Sequence, residues 1–196
     1  KQSMGDPTFT PERRRFQYRG IPDRGKADLW KYGYIPFDGA EGETVSKNLE
    51  YYLAAWSVAQ VAGKLGHKED SVRYYNLSQC YKKIFDDRAL CFRAKDKAGN
   101  FRTLKGFNPS HHTSDYTEGT PWQYLWLVPH DVKGLVDLLG GQEKAAARLD
   151  SLFLADSRLN ADANPDISGL IGQYAHGNEP SHHTIYIYNY LGQPQK

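Results

Sequence analysis

Cysteine is scarce: only Cys80 and Cys91 occur among 196 residues. Two cysteines cannot staple a small disulfide scaffold, and a single pair does not separate a cytosolic from an exported protein. Two buried thiols are a simpler reading than a bridge. No run of about 18 apolar residues exists, which excludes a membrane-spanning helix. A dominant charge sign is also lacking, since 25 basic and 23 acidic residues leave a formal net charge of +2. Phosphate backbones and anionic lipid surfaces recruit one-sided fields, so neither nucleic acid nor membrane is an expected partner. Lys1–Asp6 is not followed by the apolar core and small-residue cleavage site of a signal peptide; a mature form or a piece of a longer chain would look the same. A Gly-x-Ser-x-Gly nucleophile elbow is absent, and Gly33, Gly39 and Gly42 lack the strand and helix that bracket a phosphate loop.

Aromatic rings are abundant instead: 14 Tyr, 8 Phe and 4 Trp, in a chain that is polar on average. Amphipathic rings suit ligands with apolar faces and many hydroxyls, as sugars have, although core packing is their commoner use. The length fits one domain. Residues 1–42 are rich in Gly, Pro and charge and read as a loop-rich opening segment with short extended pieces such as 34–37. Residues 43–196 carry helical periods and read as a mainly α domain.

Val45, Leu49, Leu53, Trp56, Val61 and Leu65 recur at helical spacing over 44–65, with Gly66 as a stop. A second helix is predicted over 69–85 from Val72, Tyr75, Leu77, Cys80, Tyr81 and Ile84, packed antiparallel on the first. Leu90, Phe92, Phe101 and Leu104 flank the turn "DKAGN" and predict a β-hairpin. Thr120 and Pro121 are placed to start a short helix through Val128. Further helices are expected over 131–139, 142–153 and 180–190, joined by a polar loop over 155–168. The stretch "AWSVAQVAGKLGHKEDSVRYY" has the spacing of a paired-helix repeat but does not recur.

Chemistry concentrates at two loop-to-helix junctions. In the first, Glu118 precedes a helix start among Tyr116, Trp122 and Tyr124. Desolvation by those rings would raise its carboxyl and suit it to donate a proton, whereas a mere cap of the helix dipole would stay ionised. The second junction is His176-Gly177-Asn178-Glu179-Pro180-Ser181-His182-His183. Glu179 before Pro180 suits a helix N-terminus, where an ionised oxygen beside the Asn178 carbonyl can bind a hard cation or sugar hydroxyls. The histidines lack the His-x-x-x-His spacing of common zinc sites. Asp38, Asp131 and Asp166 read first as caps or turn formers.

The stretches "GYIPFD", "VSKNLEYYLAAWSVAQVAGKLG", "YTEGTPWQYLWLVPHDVKGLVDLLGG" and "SGLIGQYAHGNEPSHHTIYIYNYLGQP" resemble family 92 of the glycoside hydrolases, in family order from about Gly33 to Pro194. The resemblance implies part of an (α/α)6 toroid preceded by an N-terminal β-sandwich. It also implies a calcium-dependent, inverting exo-α-mannosidase, often specific for α-1,2-linked mannose of glycans, and an exported protein. Glu118 matches the family's general acid. His176, Glu179, His182 and Trp122 fall where substrate is bound, with Asn178 and Glu179 supporting Ca²⁺. Relatives have Asn and a small residue where this chain has Thr120-Pro121. The family's base comes from a "GNDDCGQMS"-like motif beyond "LGQP", so the resemblance implies a catalytic-domain fragment that is inactive without the remaining barrel segment. A helical-repeat interaction module and a non-catalytic mannose-binding domain are the alternatives. The interaction module predicts that the two junctions lie on different faces; the enzyme predicts that they meet.

Overall fold

A computed structural model describes residues 25–196; the earlier part of the predicted opening segment lies outside the described residues. Helix α1 (Lys26–Tyr32) ends at Gly33, whose left-handed φ of 82° lets its N–H reach Leu29 O at 2.9 Å. Helix α2 (Thr44–Lys64) turns at Gly66 into α3 (Lys68–Ser78), which continues as a 3-10 helix over Gln79–Ile84. Strands β1 (Phe85–Asp86) and β2 (Cys91–Phe92) pair antiparallel. Helices α4 (Pro121–Tyr124), α5 (Val132–Leu138) and α6 (Gln142–Leu154) follow, then the antiparallel pair β3 (Leu170–Ile171) and β4 (Tyr174–Ala175). Two 3-10 turns, Glu179–Ser181 and Thr184–Tyr186, lead into α7 (Ile187–Tyr190). The chain is mainly helical with small hairpins, as its periods predict.

Helices α2 and α3 form the expected antiparallel pair, and the predicted apolar positions hold in part: Val45 and Leu49 of α2 and Leu77 of α3 are buried, but the stripe then departs from them. Val45, Leu49, Tyr52, Ala55, Ala59 and Ala62 are buried, whereas Val61 is 57% and Leu65 67% exposed. On α3, Tyr74 and Leu77 face the core while Val72 and Tyr75 stay exposed. Small residues decide this: the alanines and Gly63 let α3 approach until the Ser71 hydroxyl donates to Ala59 O at 3.0 Å, which bulkier Val61 and Leu65 would block. The larger residues therefore make a second apolar face, uncovered by the described residues.

Other expectations need correction. Residues 26–32 are helix rather than loop. Seven residues cannot sustain a helix alone, but Leu29 is fully buried and Trp30 packs edge-on against Tyr74, centroids 5.3 Å apart. The helix predicted to Phe85 keeps α geometry only to Ser78, and the one expected over 180–190 is broken into short turns. The β3–β4 pair was not expected. The hairpin around "DKAGN" is present as a short ladder, with a bridge between Lys95 and Phe101 and Arg102 N–H donating to Ala94 O at 2.9 Å. Leu90 sits outside it, in the β1–β2 turn, at φ 49°.

The core holds many of the abundant rings, with Tyr52, Tyr74, Tyr81, Phe92 and Trp126 all under 2% exposed. Buried Asp86 pairs with buried Arg93, which also donates to the carbonyls of Arg102 and Thr103 and so ties both hairpins together. Cys80 and Cys91 are free thiols, and burial pushes the Cys91 thiol up to about 12. Asp131 caps α5 as expected, accepting from Gly134 N–H at 3.0 Å. Asp38 accepts from Lys97 N–H at 2.9 Å.

The segment predicted to be extended is held by a side chain. Asn48 of α2 accepts from Ile35 N–H at 2.7 Å and donates to Ile35 O at 3.2 Å, acting as a one-residue strand partner. Replacing Asn48 by Ala orphans both groups of a residue that is 2% exposed, and is expected to cost about 2–4 kcal/mol. Urea unfolding of the protein measures it; a loss under about 0.5 kcal/mol, the scale of a neutral surface change, would contradict the assignment.

Candidate active site

The first junction has no ladder of its own, so its polar backbone groups need side-chain partners. Thr117 N–H donates to Ser46 Oγ at 2.8 Å, on the first turn of α2. The next three carbonyls are each taken by a different side chain. The Tyr124 hydroxyl donates to Thr117 O at 2.6 Å, Asn178 Nδ2 to Glu118 O at 2.5 Å, and His112 Nδ1 to Gly119 O at 2.8 Å. Held this way, Glu118 adopts a left-handed φ of 46°, uncommon for a residue with a side chain. Gly119 must be glycine, because a Cβ there would lie 2.5 Å from the Tyr124 ring. Thr120 caps α4 with Gln123 in a capping box and Pro121 takes the first helical position. The cap role is thus filled by Thr120, which leaves the Glu118 carboxyl to the cleft.

The second junction is delivered by β3–β4. Gly177 N–H donates to Ser168 O at 3.0 Å, an approach so close that a Cβ on Gly177 would meet Ser168 Oγ at 2.2 Å. Asn178, 4% exposed, then opens the 3-10 turn of Glu179–Ser181. Its amide joins the two junctions directly through Glu118 O. A carbonyl only accepts, so Nδ2 faces Glu118, and Asn178 Oδ1 has no hydrogen bond among the described residues.

Glu118 and Pro180 line one cleft of about 330 Å³ together with Ser46, Lys47, Glu50, Tyr51, Thr117 and Tyr124. Glu50 was not singled out from the sequence. It is exposed, yet desolvation by the cleft wall raises its carboxyl above the usual range. Burial first, then the Glu50, Glu118 and Glu43 carboxylates, push the Tyr124 hydroxyl up to about 12 despite its contact with Ser46, so it stays a donor. Ser46 and Glu50 lie one turn apart on α2 and so reach the same cleft.

The other site candidates divide. His176 and His182 are exposed neighbours, with rings 5.4 Å apart; His182 Nε2 donates to His176 O at 3.0 Å and the Tyr174 hydroxyl meets His176 Nδ1 at 2.9 Å. His183 is structural: its Nε2 donates to Trp126 O at 2.6 Å, and burial lowers its pKa. Glu179 is exposed beside Asn178. Trp122 is 8% exposed and lies under the Arg148 guanidinium, 3.9 Å from the ring centroid; like His176, Asn178, Glu179 and His182 it is not among the residues that line this cleft. Tyr116 is also buried, donating to Phe92 O at 2.7 Å; of the rings around Glu118 in sequence only Tyr124 lines the cleft. Asp115 is engaged by Arg102 at 2.9 Å through both oxygens. Among the described residues no cluster of three His, Cys, Asp or Glu side chains is placed to hold a metal. Asn178 Oδ1 and the Glu179 carboxylate are adjacent hard oxygen donors, the chemistry Ca²⁺ takes, but they are a minority of its six to eight ligands.

The profile of the glycosyl hydrolase family 92 catalytic domain matches residues 6–196. The chain belongs to that family. A solved family GH92 alpha-mannosidase from Bacteroides thetaiotaomicron is 39% identical with a TM-score of 0.78, the match covering 90% of this chain and 23% of that one; it has also been solved with mannoimidazole. A family GH92 inverting mannosidase from the same species is 35% identical at a TM-score of 0.74, over 87% of this chain and 24% of that one. A secreted glycosidase of uncharacterised activity from Arthroderma benhamiae is 28% identical over 89% of this chain and 24% of its own length. The chain therefore spans about a quarter of each of these relatives.

Proposed function

We propose that this chain is the central part of the catalytic domain of a calcium-dependent, inverting exo-α-mannosidase that removes terminal, α-1,2-linked mannose from glycans. The observation that carries the reading is the meeting of the two junctions: Asn178 bonds to the backbone of Glu118, and Glu118 and Pro180 share one cleft. An interaction module has no need for such convergence. Family membership, the solved mannosidases and the mannoimidazole complex of a relative support the substrate class. The name of the secreted fungal relative supports an exported protein, and among the described residues no helix is long and apolar enough to cross a membrane.

In this reading Glu118 protonates the glycosidic oxygen as its bond to the mannose anomeric carbon breaks, so the aglycone departs as a neutral alcohol. A water, deprotonated by a second carboxylate, attacks the anomeric carbon from the opposite face. Inversion asks for the two carboxyls about 6.5–9.5 Å apart. The base belongs to the "GNDDCGQMS"-like motif of the remaining barrel segment, which together with an N-terminal β-sandwich completes the site. Asn178 Oδ1 and the Glu179 carboxylate would hold part of a Ca²⁺ shell, and His176, His182 and Trp122 would contact the terminal mannose. When bound, Ca²⁺ would supply a hard Lewis-acidic centre for sugar oxygens.

Glu118→Gln in the full-length protein is expected to lower turnover of unactivated mannosides by about a hundredfold or more. Aryl mannosides with good leaving groups, which need little protonation, should lose far less. Equal losses on both classes would make Glu118 a binding or structural residue. Exhaustive chelation is expected to abolish turnover, and added Ca²⁺ to restore it; full activity of the chelated protein would remove the metal from the reading.

A further inference from the structure

Beside the loop that carries Glu118 lies a set of polar contacts outside the cleft wall. His112 Nδ1 faces Gly119 O at 2.8 Å. Because a carbonyl only accepts, Nδ1 carries the proton and the ring is a fixed donor. The backbone of His112 is itself clamped on both sides by one amide: His112 N–H donates to Asn160 Oδ1 at 2.9 Å, and Asn160 Nδ2 donates to His112 O at 3.1 Å. Asn160 lies in the long polar loop over 155–168, so that loop reaches back 48 residues to brace this histidine.

We propose that His112, locked by Asn160, is a positioning residue for the proton donor. It fixes the carbonyl immediately after Glu118 and so sets where the carboxyl presents its proton. The inference rests on the reading of Glu118 as the acid. Its physical basis is the left-handed backbone of Glu118, φ 46°. That conformation is disfavoured for a non-glycine residue and persists only where surroundings over-determine it. Of the three side chains on consecutive carbonyls, Tyr124 lines the cleft and Asn178 belongs to the ligand junction, whereas His112 is absent from the cleft wall. Its removal is therefore expected to alter the acid's placement while leaving the groups that line the cleft in place. A displacement of about 1 Å at a reacting group costs on the order of a hundredfold in rate, so even a partial shift is measurable.

The test compares His112→Leu, which removes the donor, with His112→Asn, whose amide can donate from near the position of Nδ1, both in the full-length protein with Ca²⁺. His112→Leu is expected to lower kcat on mannosides with poor leaving groups by about tenfold or more. KM should stay nearly constant, activated aryl mannosides should lose much less, and His112→Asn should recover most of the loss. Should His112→Leu fail to fold, Asn160→Ala carries the comparison, with the same leaving-group signature at smaller amplitude. Equal losses on both substrate classes, no loss, or no recovery with His112→Asn would overturn the proposal. Glu118→Gln is measured alongside. If it shows the leaving-group signature and the His112 and Asn160 variants do not, this inference alone fails. If Glu118→Gln lacks the signature, the reading of the acid falls and this inference with it.

Discussion

An irregular loop cannot be buried unless something answers its backbone, and that requirement organises this chain. The stretch from Asp115 to Thr120 pairs with no strand, yet its amides and carbonyls are met by Val45 N–H and Ser46 of α2, by Tyr124 and Gln123 of α4, by His112 upstream and by Asn178 from a segment 60 residues later. Each of these groups satisfies a polar atom that would otherwise cost about 1–3 kcal/mol. Satisfying the loop also fixes its shape. The left-handed Glu118 is the product: a carboxyl presented to a cleft by a backbone held in place at successive residues.

Helix α2 connects this loop to the rest of the molecule. Its alanine stripe receives α3, its Asn48 holds the extended run at Ile35, its first turn supplies Ser46 to the acid loop and its second supplies Glu50 to the cleft. One helix thus carries core, local backbone and site on three faces, and a shift along its axis would move all three together. The buried Asp86–Arg93 pair does a related service for the hairpins. Burial alone would raise the Asp86 carboxyl, but its hydrogen bonds with Arg93 and the Arg88 N–H outweigh it and hold the group below the usual range. Breaking such a pair leaves a buried charge without its counter-ion.

What was legible in the sequence were features with a local cause. The span of α2 follows from its period and from Gly66, the start of α4 from Thr120 and Pro121, and the cap of α5 from Asp131, because each depends on residues within a turn of itself. The buried face of α2 was legible only at its start, through Val45 and Leu49. Val61 and Leu65 are more hydrophobic than Ala55 and Ala59, but close helix packing rewards small volume, and that is a property of the pair rather than of either helix. Helix α1 was hidden for a similar reason, since Leu29 and Trp30 stabilise it through distant partners. At the site, Glu118, Asn178 and Glu179 stood out by their place beside prolines and glycines. Glu50, Ser46 and the bracing role of His112 did not, because their meaning lies in long-range contacts such as the 71 residues between Ser46 and Thr117.

The proposed reaction depends on Glu118 facing the reacting bond of a sugar held at the Asn178–Glu179 turn. A crystal structure of the full-length protein with mannoimidazole and Ca²⁺ tests this most directly, because the inhibitor carries a basic imidazole nitrogen bonded to the carbon that stands for the anomeric carbon, where a proton donor would engage it. The predicted result is a Glu118 carboxyl oxygen within about 2.6–3.2 Å of that nitrogen, the reach of a proton donor, with the mannose ring against Asn178 and Glu179. An inhibitor contacted at that nitrogen by Glu50 or another group, with Glu118 remote from it, would contradict the account.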